Sequence, residues 1–516
     1  MTDADGADVI VVGAGPTGLM LATELCRAGV VPVVLERHPR VRDVARAGGL
    51  NGMILEVLRL RGSLDRFESE SPAPRPTPRF PWGGIHVDFT RLPDPPMEAV
   101  VLPQPRLEAL LEAHARELGA DVRRSHEVVA LVQHDEWVHL VVAGPEGTSE
   151  VRARYVVGCD GGRSRVREMA GVAFPGTAFA ETERMGTMTR PASLTVTADG
   201  DLDVPGFGTI PFGYTATEHG VFAFAQHAPD VLGFYTSEED PTEVDDDVPM
   251  TLEEMGESIR RVLGVELPLG EPHRLTRFTY QARQAETYRA GRVLLAGDAA
   301  HLFPAGGVAI NAGMLDAVNL GWKLAAAVHG RAPDDLLDSY HHERHADGAR
   351  TLLHTQAQVA LRRGHDAQAD ALRQLLQELL DDEPAVRRLG ALMTGDDLRC
   401  PVPGPDDHPL VGTFVPELDL GTEEGSTTLA ALLRDAGPVL VDLGRGDHLG
   451  TAAAPWADRV ELVRAATAER PADAVLVRPD LRVAWAAATG EQPATVVPSL
   501  RAALARWFGP PADGRP

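Results

Sequence analysis

The first 36 residues constrain the fold most strongly, because they read as strand, glycine turn, helix, strand and acid. A β-branched run from Val9 to Val12 leads directly into the turn Gly13–Gly18. A helical segment follows as far as Gly29, and a second apolar run ends on Glu36. This order is the signature of a βαβ unit that binds a dinucleotide. The sequence therefore predicts an α/β fold whose Rossmann-like domain begins at the N-terminus.

Each residue of this motif has an expected role toward the dinucleotide. Gly13 permits the tight turn, Gly15 lets the backbone approach the pyrophosphate, and Gly18 lets the helix pack closely on the strand. The helix that starts near Pro16 presents its positive end to the phosphates. Glu36 is expected to accept a hydrogen bond from a ribose hydroxyl.

Two further motifs lie downstream of the glycine turn. Asp160-Gly161 follows the apolar run Tyr155–Val157. Gly297-Asp298 ends a second apolar run, and an apolar helix is predicted after it from Asn311 to Val328. The chain thus carries three glycine-containing motifs in order.

Together these motifs resemble those of the group A flavoprotein aromatic hydroxylases, most closely the aromatic polyketide hydroxylases. The resemblance covers nearly the whole chain. It implies FAD as cofactor, NAD(P)H as a transient reductant, and oxygenation of a polycyclic aromatic molecule with O2 through a C4a-hydroperoxyflavin. Aromatic hydroxylation in antibiotic biosynthesis is the favoured reaction. Baeyer–Villiger oxygenation of a polyketide ketone and a flavin-binding protein without turnover are the alternatives.

The resemblance also implies contacts with FAD beyond the glycine turn. They are Arg46 with the pyrophosphate, Gln104 with the ribityl or adenosine part, Asp160 with FAD and NAD(P)H together, and Asp298 with a ribityl hydroxyl. Arg37 stands beside Glu36 and is expected to face the adenine. A surface salt bridge is the alternative for Arg37, and a loop cap is the alternative for Asp298.

The loop after Asp298 is expected to lie against the flavin ring. Pro304, Gly306 and Gly307 are its candidate catalytic residues, and Gly307, Val308 and Asn311 are expected to contact the cofactor. The following helix would direct its N-terminus at the flavin and stabilise negative charge there. The loop departs from the family pattern PxGGQGLN, because it is one residue shorter before the proline and carries Val308 and Ala309 in place of Gln and Gly.

Aromatic side chains in the middle of the chain are candidates for the wall of a substrate pocket, although each one also suits the core of a strand. They are Phe207, Phe212, Tyr214, Phe222 and Phe224. The run His341–His345 does not indicate a metal site, because Ala346 breaks the HExxH spacing.

The motifs and the changes in residue pattern predict a division into domains. Residues 1–175 and 275–362 are expected to form the FAD-binding domain, and 176–274 an inserted sheet-rich substrate-binding domain. Residues 363–400 form a helical connector, with leucines on one face of a helix over Asp370–Leu380. Residues 410–516 resemble a thioredoxin-like domain that lacks CxxC, with a structural role or a contact in a homodimer.

Charge and cysteine content exclude several classes of function. A formal charge of −26 repels polyanions and argues against nucleic-acid binding. The three cysteines give no disulfide framework. Neither a leader segment nor an apolar run of about 18 residues is visible, so a cytoplasmic protein without a membrane partner is expected.

Overall fold

The computed structural model describes residues 6–42, 48–71, 79–239, 248–304, 307–400, 408–435, 437–444 and 446–512. Two of the predicted site residues, Arg46 and Gly306, lie outside the described residues. Among the described residues, no helix is both long enough and apolar enough to cross a membrane.

The helices of the described residues are numbered α1 to α13 in chain order. They are Pro16–Arg27, Met53–Leu60, Asp65–Glu68, Gln104–Glu117, Arg165–Met169, Leu252–Leu263, Ala309–Val328, Leu336–Arg363, Ala367–Leu379, Glu383–Thr394, Leu429–Leu432, His448–Ala453 and Pro493–Phe508. Single 3₁₀ turns occur at Gly297–Ala299 and Ala454–Trp456.

The strands of the same residues are numbered β1 to β27. They are Ala7–Val12, Val33–Glu36, Gly49–Asn51, Arg79–Trp82, Ile85–Asp88, Ala99–Val101, Asp121–Arg124, Glu127–Gln133, Val138–Gly144, Gly147–Gly158, Gly176–Thr189, Thr195–Val196, Leu202–Val204, Gly208–Ile210, Gly213–Thr217, Gly220–Ala228, Val231–Glu239, Pro272–Gln284, Arg289–Ala290, Val293–Leu295, His301–Leu302, Asp419–Thr422, Gly425–Thr428, Val439–Asp442, Glu461–Arg464, Ala474–Val477 and Val483–Ala487.

A largely parallel sheet forms the nucleotide-binding part of the molecule. Its order is β19-β20-β10-β1-β2-β7, and β20, β10, β1, β2 and β7 run parallel. Val9, Ile10 and Val11 on the central strand β1 are almost completely buried, because helices α1 and α7 pack beside them. The predicted Rossmann-like α/β class is therefore confirmed.

A second sheet of six strands has the order β15-β16-β17-β11-β18-β21, with antiparallel neighbours throughout. Strand β18 runs from Pro272 to Gln284 and its last residues pair with β21 beside the flavin loop. The expected domain boundary at residue 275 therefore cuts through a strand and has to move beyond Gln284. The apolar pattern missed this, because Leu275, Phe278, Tyr280 and Ala282 are spread among the polar residues of β18 without a regular alternation.

The two faces of this second sheet carry different side chains. Phe222, Phe224 and Phe234 pack with Met255 and Ile259 of helix α6 in one apolar core; we call this side the α6 face. Because successive side chains of a strand alternate, Tyr235 lies on the opposite side, where the end of α8 packs. We call that side the α8 face.

The C-terminal sheet has the order β25-β24-β26-β27, with β24 parallel to β25 and antiparallel to β26. Helices α12 and α13 pack against it through a core that includes Trp456, Leu500 and Trp507. Strand order, strand directions and the closing helix agree with the thioredoxin-like arrangement that the sequence predicts for this part of the chain.

A buried ionic network fixes this C-terminal part to helices α7 and α8. Arg478 donates to both carboxylate oxygens of Glu343, at 2.7 and 2.8 Å, and Lys323 donates to the same carboxylate at 2.9 Å. Asn319 donates to Asp480 at 2.8 Å. Burial alone would raise the pKa of Glu343, but Arg478 and Lys323 hold that pKa well below its ordinary value.

The leucines of α9 divide between two environments, although the sequence pattern groups them on one face. Leu376 packs against the cluster around Trp82 and Phe89. Leu372, Leu375 and Leu379 are each about half exposed, at 50%, 56% and 52%. Periodicity shows which side chains share a helix face, but it does not show how much of that face a neighbour covers.

Candidate active site

A cleft of about 250 Å³ opens where β1, β2 and β10 end. Ligands of open α/β sheets bind at this edge, outside the carboxyl ends of the strands. Predicted cofactor residues from five separate stretches line the cleft, namely Gly13, Gly15, Glu36, Arg37, Gln104, Asp160 and Asp298. The structure thus brings the three motifs together.

The glycine turn has the geometry that a bound pyrophosphate requires. Gly13 has φ of +107°, and a Cβ there would lie 2.4 Å from the carbonyl oxygen of Cys159. A Cβ on Gly18 would lie 2.0 Å from the carbonyl oxygen of Gly13. A Cβ on Gly15 would meet nothing within 4 Å, and helix α1 begins at the next residue, Pro16. The open space at Gly15 and the helix N-terminus fit the phosphates of FAD.

Two predicted carboxylates lie in the cleft and also hold its backbone in place. Glu36 accepts hydrogen bonds from the backbone N–H groups of Ala14 at 2.9 Å and His38 at 2.8 Å. Asp160 accepts from Ser164 Oγ at 2.5 Å and from the backbone N–H of Arg165 at 2.8 Å. Burial raises the pKa of Asp160. Both oxygens of Glu36 and Oδ1 of Asp160 keep a second lone pair for a ligand, whereas Oδ2 of Asp160 accepts from both Arg165 and Val166.

Two other predicted residues of the cleft contact their neighbours. Arg37 Nε lies 3.3 Å from Nε2 of His38, and Gln104 donates to Glu108 at 2.8 Å. Asp298 lies in the 3₁₀ turn that follows β20. All three side chains border the space for the cofactor, and their contacts with FAD stay a prediction.

Asp316 on helix α7 organises the Gly297-Asp298 turn, a role that the motifs did not reveal. Its carboxylate accepts from the backbone N–H of Gly297 at 3.0 Å, and His301 Nε2 lies 2.7 Å from it. Arg344 Nε donates to it at 2.7 Å. Burial would raise the pKa of Asp316, but His301 and Arg344 hold it below the ordinary value. In the sequence, Asp316 stands out only as the one acidic residue of helix α7.

The flavin loop is held by two asparagines. Asn51 and Asn311 donate to the carbonyl oxygen of Gly307 at 3.0 and 2.7 Å, and Asn311 also donates to Asn51 Oδ1 at 3.0 Å. Gly307 has φ of +85°, and Val308 occupies the N-cap of α7 without any side-chain cap. This helix start is consistent with the predicted contact with a negatively charged group. Pro304 is buried beside it.

A small cavity connects the flavin loop to helix α8. Its lining comes from six separate stretches, namely Asn51, Phe80, Trp82, Met97, Gly307, Val308, His354, Gln358 and Met393. Arg362 lies one helical turn beyond Gln358 on α8. The cavity, of about 10 Å³, thus reaches α8 one turn before Arg362.

A polar cluster occupies the α8 face. Glu183 is 1% exposed, accepts a hydrogen bond from the Tyr235 hydroxyl, and accepts another from Ser237 Oγ at 3.0 Å. Arg362 Nη2 lies 3.6 Å from the same carboxylate. The Arg362 guanidinium also lies 5.3 to 5.8 Å from the ring centroids of three tyrosines, namely Tyr214, Tyr235 and Tyr280. Of this cluster, only Tyr214 was predicted from the sequence.

The five aromatic substrate candidates lie in different places. Phe222 and Phe224 are buried in the core of the α6 face, so they do not line the space beside the flavin loop. Phe207 lies in an exposed turn, and Phe212 contacts Phe224 at the edge of the sheet. Tyr214 alone of the five contacts Arg362. The alternation along β16 places the two buried rings away from α8.

Side chains of the run His341–His345 belong to ionic networks. Glu343 and Arg344 are both buried in the contacts described above. Across the part of the chain that the structure describes, no group of three or more His, Cys, Asp or Glu side chains has the arrangement of a metal site.

Comparison with known proteins agrees with this site. A family model described as an FAD binding domain matches residues 6–355, and one described as an aromatic-ring hydroxylase C-terminal domain matches 408–511. A 12-dehydrotetracycline 5-monooxygenase/anhydrotetracycline 6-monooxygenase of Streptomyces rimosus is 40% identical, and the match covers 98% of this chain and 99% of the relative. A dialkyldecalin synthase of Streptomyces rugosporus is 39% identical, with 98% and 99% covered. The structure of CabE, an aromatic hydroxylase from angucycline biosynthesis, matches with a TM-score of 0.86 at 37% identity, covering 98% of this chain and 100% of that one.

The parallel sheet, the glycine turn and the cleft define a dinucleotide-binding α/β flavoprotein. With the two matching family models, which together span most of the chain, the chain belongs to the FAD-dependent aromatic hydroxylases, the group A flavoprotein monooxygenases. The predicted family and the predicted cofactor FAD are thus confirmed.

Proposed function

We propose that this enzyme hydroxylates a polycyclic aromatic polyketide with O2, using NAD(P)H as reductant, in antibiotic biosynthesis. One observation carries the proposal: on the side of the second sheet where α8 packs, the Arg362 guanidinium lies 5.3 to 5.8 Å from the ring centroids of Tyr214, Tyr235 and Tyr280. Tyrosine rings suit a flat polycycle, and their hydroxyls suit its oxygen substituents. The tetracycline and angucycline enzymes among the relatives support the same substrate class.

In this proposal, the residues of the chain bind and orient FAD and shield the site from water. The glycine turn and the start of α1 hold the pyrophosphate, and Asp298 holds the ribityl chain. When it is bound, FAD accepts a hydride and activates O2. The N-terminus of α7 at Val308 stabilises negative charge on the ring, while Trp82 and Met97 exclude water from the cavity.

The reductant is proposed to approach through the same cleft. Arg40, Arg42 and Arg163 line the cleft, although the chain as a whole carries a formal charge of −26. A local concentration of guanidinium groups attracts the phosphates of NAD(P)H despite the net charge.

The domain division also remains a proposal. Residues 1–175 and roughly 285–362 hold the cofactor, the strands between them form the substrate-binding part, and residues 410–516 have a structural role or form a dimer contact.

Oxygenation is tested by incubating the FAD-loaded enzyme with NADPH or NADH, ¹⁸O-labelled O2 and a panel of angucycline- and anthracycline-type phenols. We expect a matching phenol to accelerate NAD(P)H consumption at least tenfold and to gain one labelled oxygen on a ring carbon. A labelled lactone would indicate Baeyer–Villiger chemistry instead. Cyclisation without NAD(P)H or O2 consumption would place the chain with the dialkyldecalin synthase. No stimulation by any compound would support a flavin-binding protein without turnover.

Gly307→Asp tests the electrostatic role of the α7 N-terminus. A carboxylate beside the ring disfavours the negatively charged reduced flavin, because the site is poorly solvated. We expect a more negative flavin midpoint potential, slower reduction by NAD(P)H, and a larger share of O2 released as H2O2. The potential is measured by dye equilibration and the rates by stopped flow.

Gly307→Asn is the steric control, because Gly307 has a positive φ that either side chain strains equally. Only a larger effect of aspartate than of asparagine supports the electrostatic role. Equal potentials in the two variants would refute it.

A further inference from the structure

Arg274, near the start of β18, lies on the same side of the second sheet as Tyr235. The strand register fixes its side: Arg274 is opposite Thr187 of β11, whereas the next residue, Leu275, packs against the apolar core of the α6 face. Because successive side chains of a strand alternate, Arg274 belongs to the α8 face. The proposed function assigns this face to the substrate.

The guanidinium of Arg274 is enclosed but has no partner in the protein. Its Nε and Nη2 are shut off from solvent, and neither has a hydrogen-bond partner among the described residues. Burial lowers the pKa of Arg274, and no neighbouring carboxylate opposes that change. On the α6 face of the same two strands, Arg184 and Arg277 both form ion pairs with Glu254, at 3.0 and 2.7 Å. Arg274 therefore differs from its neighbours in lacking an acceptor.

An unpaired guanidinium of this kind indicates a missing ligand. A buried donor without an acceptor costs free energy, and a buried charge without a partner costs more. The two unpaired nitrogens lie along one edge of the guanidinium, and this edge binds a carboxylate through two parallel hydrogen bonds. The missing acceptor is therefore best matched by a carboxylate.

The side chains beside Arg274 on the α8 face are small. Thr187 pairs with Gly233 of β17, and Gly233 pairs with Ala225 of β16. Tyr235 lies two residues further along β17. Two residues along a strand span about 6.6 Å, and two strand spacings span about 10 Å. A flat polycycle over these small side chains thus reaches from Tyr235 to Arg274.

We propose that Arg274 forms a subsite for a carboxylate substituent of the polycyclic substrate. The guanidinium turns about its flexible stem, and its Nε and Nη2 donate to the two carboxylate oxygens. The proposal rests on the proposed hydroxylation for the position of the substrate on the α8 face. It adds that the preferred substrate is an acid, although the chain carries a formal charge of −26.

Binding to the oxidised, FAD-loaded enzyme tests the subsite without turnover, so its failure is distinguishable from failure of the proposed function, which the ¹⁸O experiment tests. The probes are anthraquinone-2-carboxylate and its neutral counterpart anthraquinone-2-carboxamide, and equilibrium dialysis gives their dissociation constants. We expect the carboxylate to bind about tenfold more tightly, or better, because hydrogen bonds to charged groups are the stronger ones. Equal affinities, or no binding of the carboxylate, would overturn the proposal.

Arg274→Met removes the charge and the donors while keeping an apolar side chain. The preference for the carboxylate is expected to disappear, and the affinity for the carboxamide to stay nearly unchanged. Arg260→Met is the matched control, because it removes the same charge from an exposed position on α6, on the other side of the sheet. A preference that survives in Arg274→Met, or that is lost equally in Arg260→Met, would contradict the subsite.

The stability of the ligand-free enzyme separates a binding role from a structural one. A buried charge without a partner costs free energy, so Arg274→Met is expected to unfold at the same urea concentration as the parent or at a higher one. Anthraquinone-2-carboxylate should raise the urea midpoint of the parent, because it binds only the folded state, and should not raise that of the variant. A midpoint of ligand-free Arg274→Met clearly below that of the parent would show that Arg274 supports the fold and would overturn the proposal.

Discussion

Gly15→Val is expected to abolish the retention of FAD while leaving the protein folded. A side chain at position 15 meets no protein atom within 4 Å, and φ of −78° with ψ of 179° suits valine. The added methyl groups instead occupy the path of the pyrophosphate beside the start of α1. The ratio of flavin to protein absorbance after gel filtration should fall from stoichiometric to near zero.

Gly437→Val is the control for this variant, because a Cβ at Gly437 also meets nothing within 4 Å and the position is not part of the cleft. It should keep its FAD. A Gly15→Val protein that folds and still holds stoichiometric FAD would refute the placement of the pyrophosphate.

Glu343→Gln is expected to destabilise the protein by about 3–5 kcal/mol, the usual cost of removing one partner from a buried charge network. Arg478 and Lys323 would remain buried without the carboxylate that they share. The free energy of unfolding is measured by urea titration of the FAD-loaded enzyme.

Glu383→Gln is the matched control, since Glu383 pairs with Arg387 where both side chains are exposed. Its expected cost is below about 1 kcal/mol. Equal costs for the two variants would contradict the view that the buried network fixes the C-terminal domain to α7 and α8.

The glycine turn was predictable because its residues follow one another at a short, fixed spacing. Gly13 and Gly18 lie close together in the sequence. The backbone contacts that exclude a side chain at these positions recur wherever a strand is followed by a nucleotide-binding helix. The same locality explains why Asp298 could be assigned to the cleft. Each motif is a short run of residues at a fixed spacing, so it is recognisable in the sequence even where its contacts, such as that of Gly13 with Cys159, involve another strand.

The polar cluster of the α8 face was not predictable in this way. Glu183, Tyr235 and Arg362 come from two strands and a helix that are far apart in the sequence, and no short spacing relates them. Phe222 and Phe224 were mispredicted for a different reason. Their aromatic character fitted a substrate wall equally well, and only the pairing of β16 with its neighbours showed that these rings face α6.

Strand β18 has a consequence for engineering the choice of substrate. Its end pairs with β21 at Leu302 and His301, next to the loop that holds the flavin, while its middle carries Tyr280 on the α8 face. Changes in β18 that reshape the pocket would therefore also disturb the cofactor. Edge strand β15 pairs only with β16 among the described strands and carries Tyr214, so libraries aimed at new polycycles are best placed there.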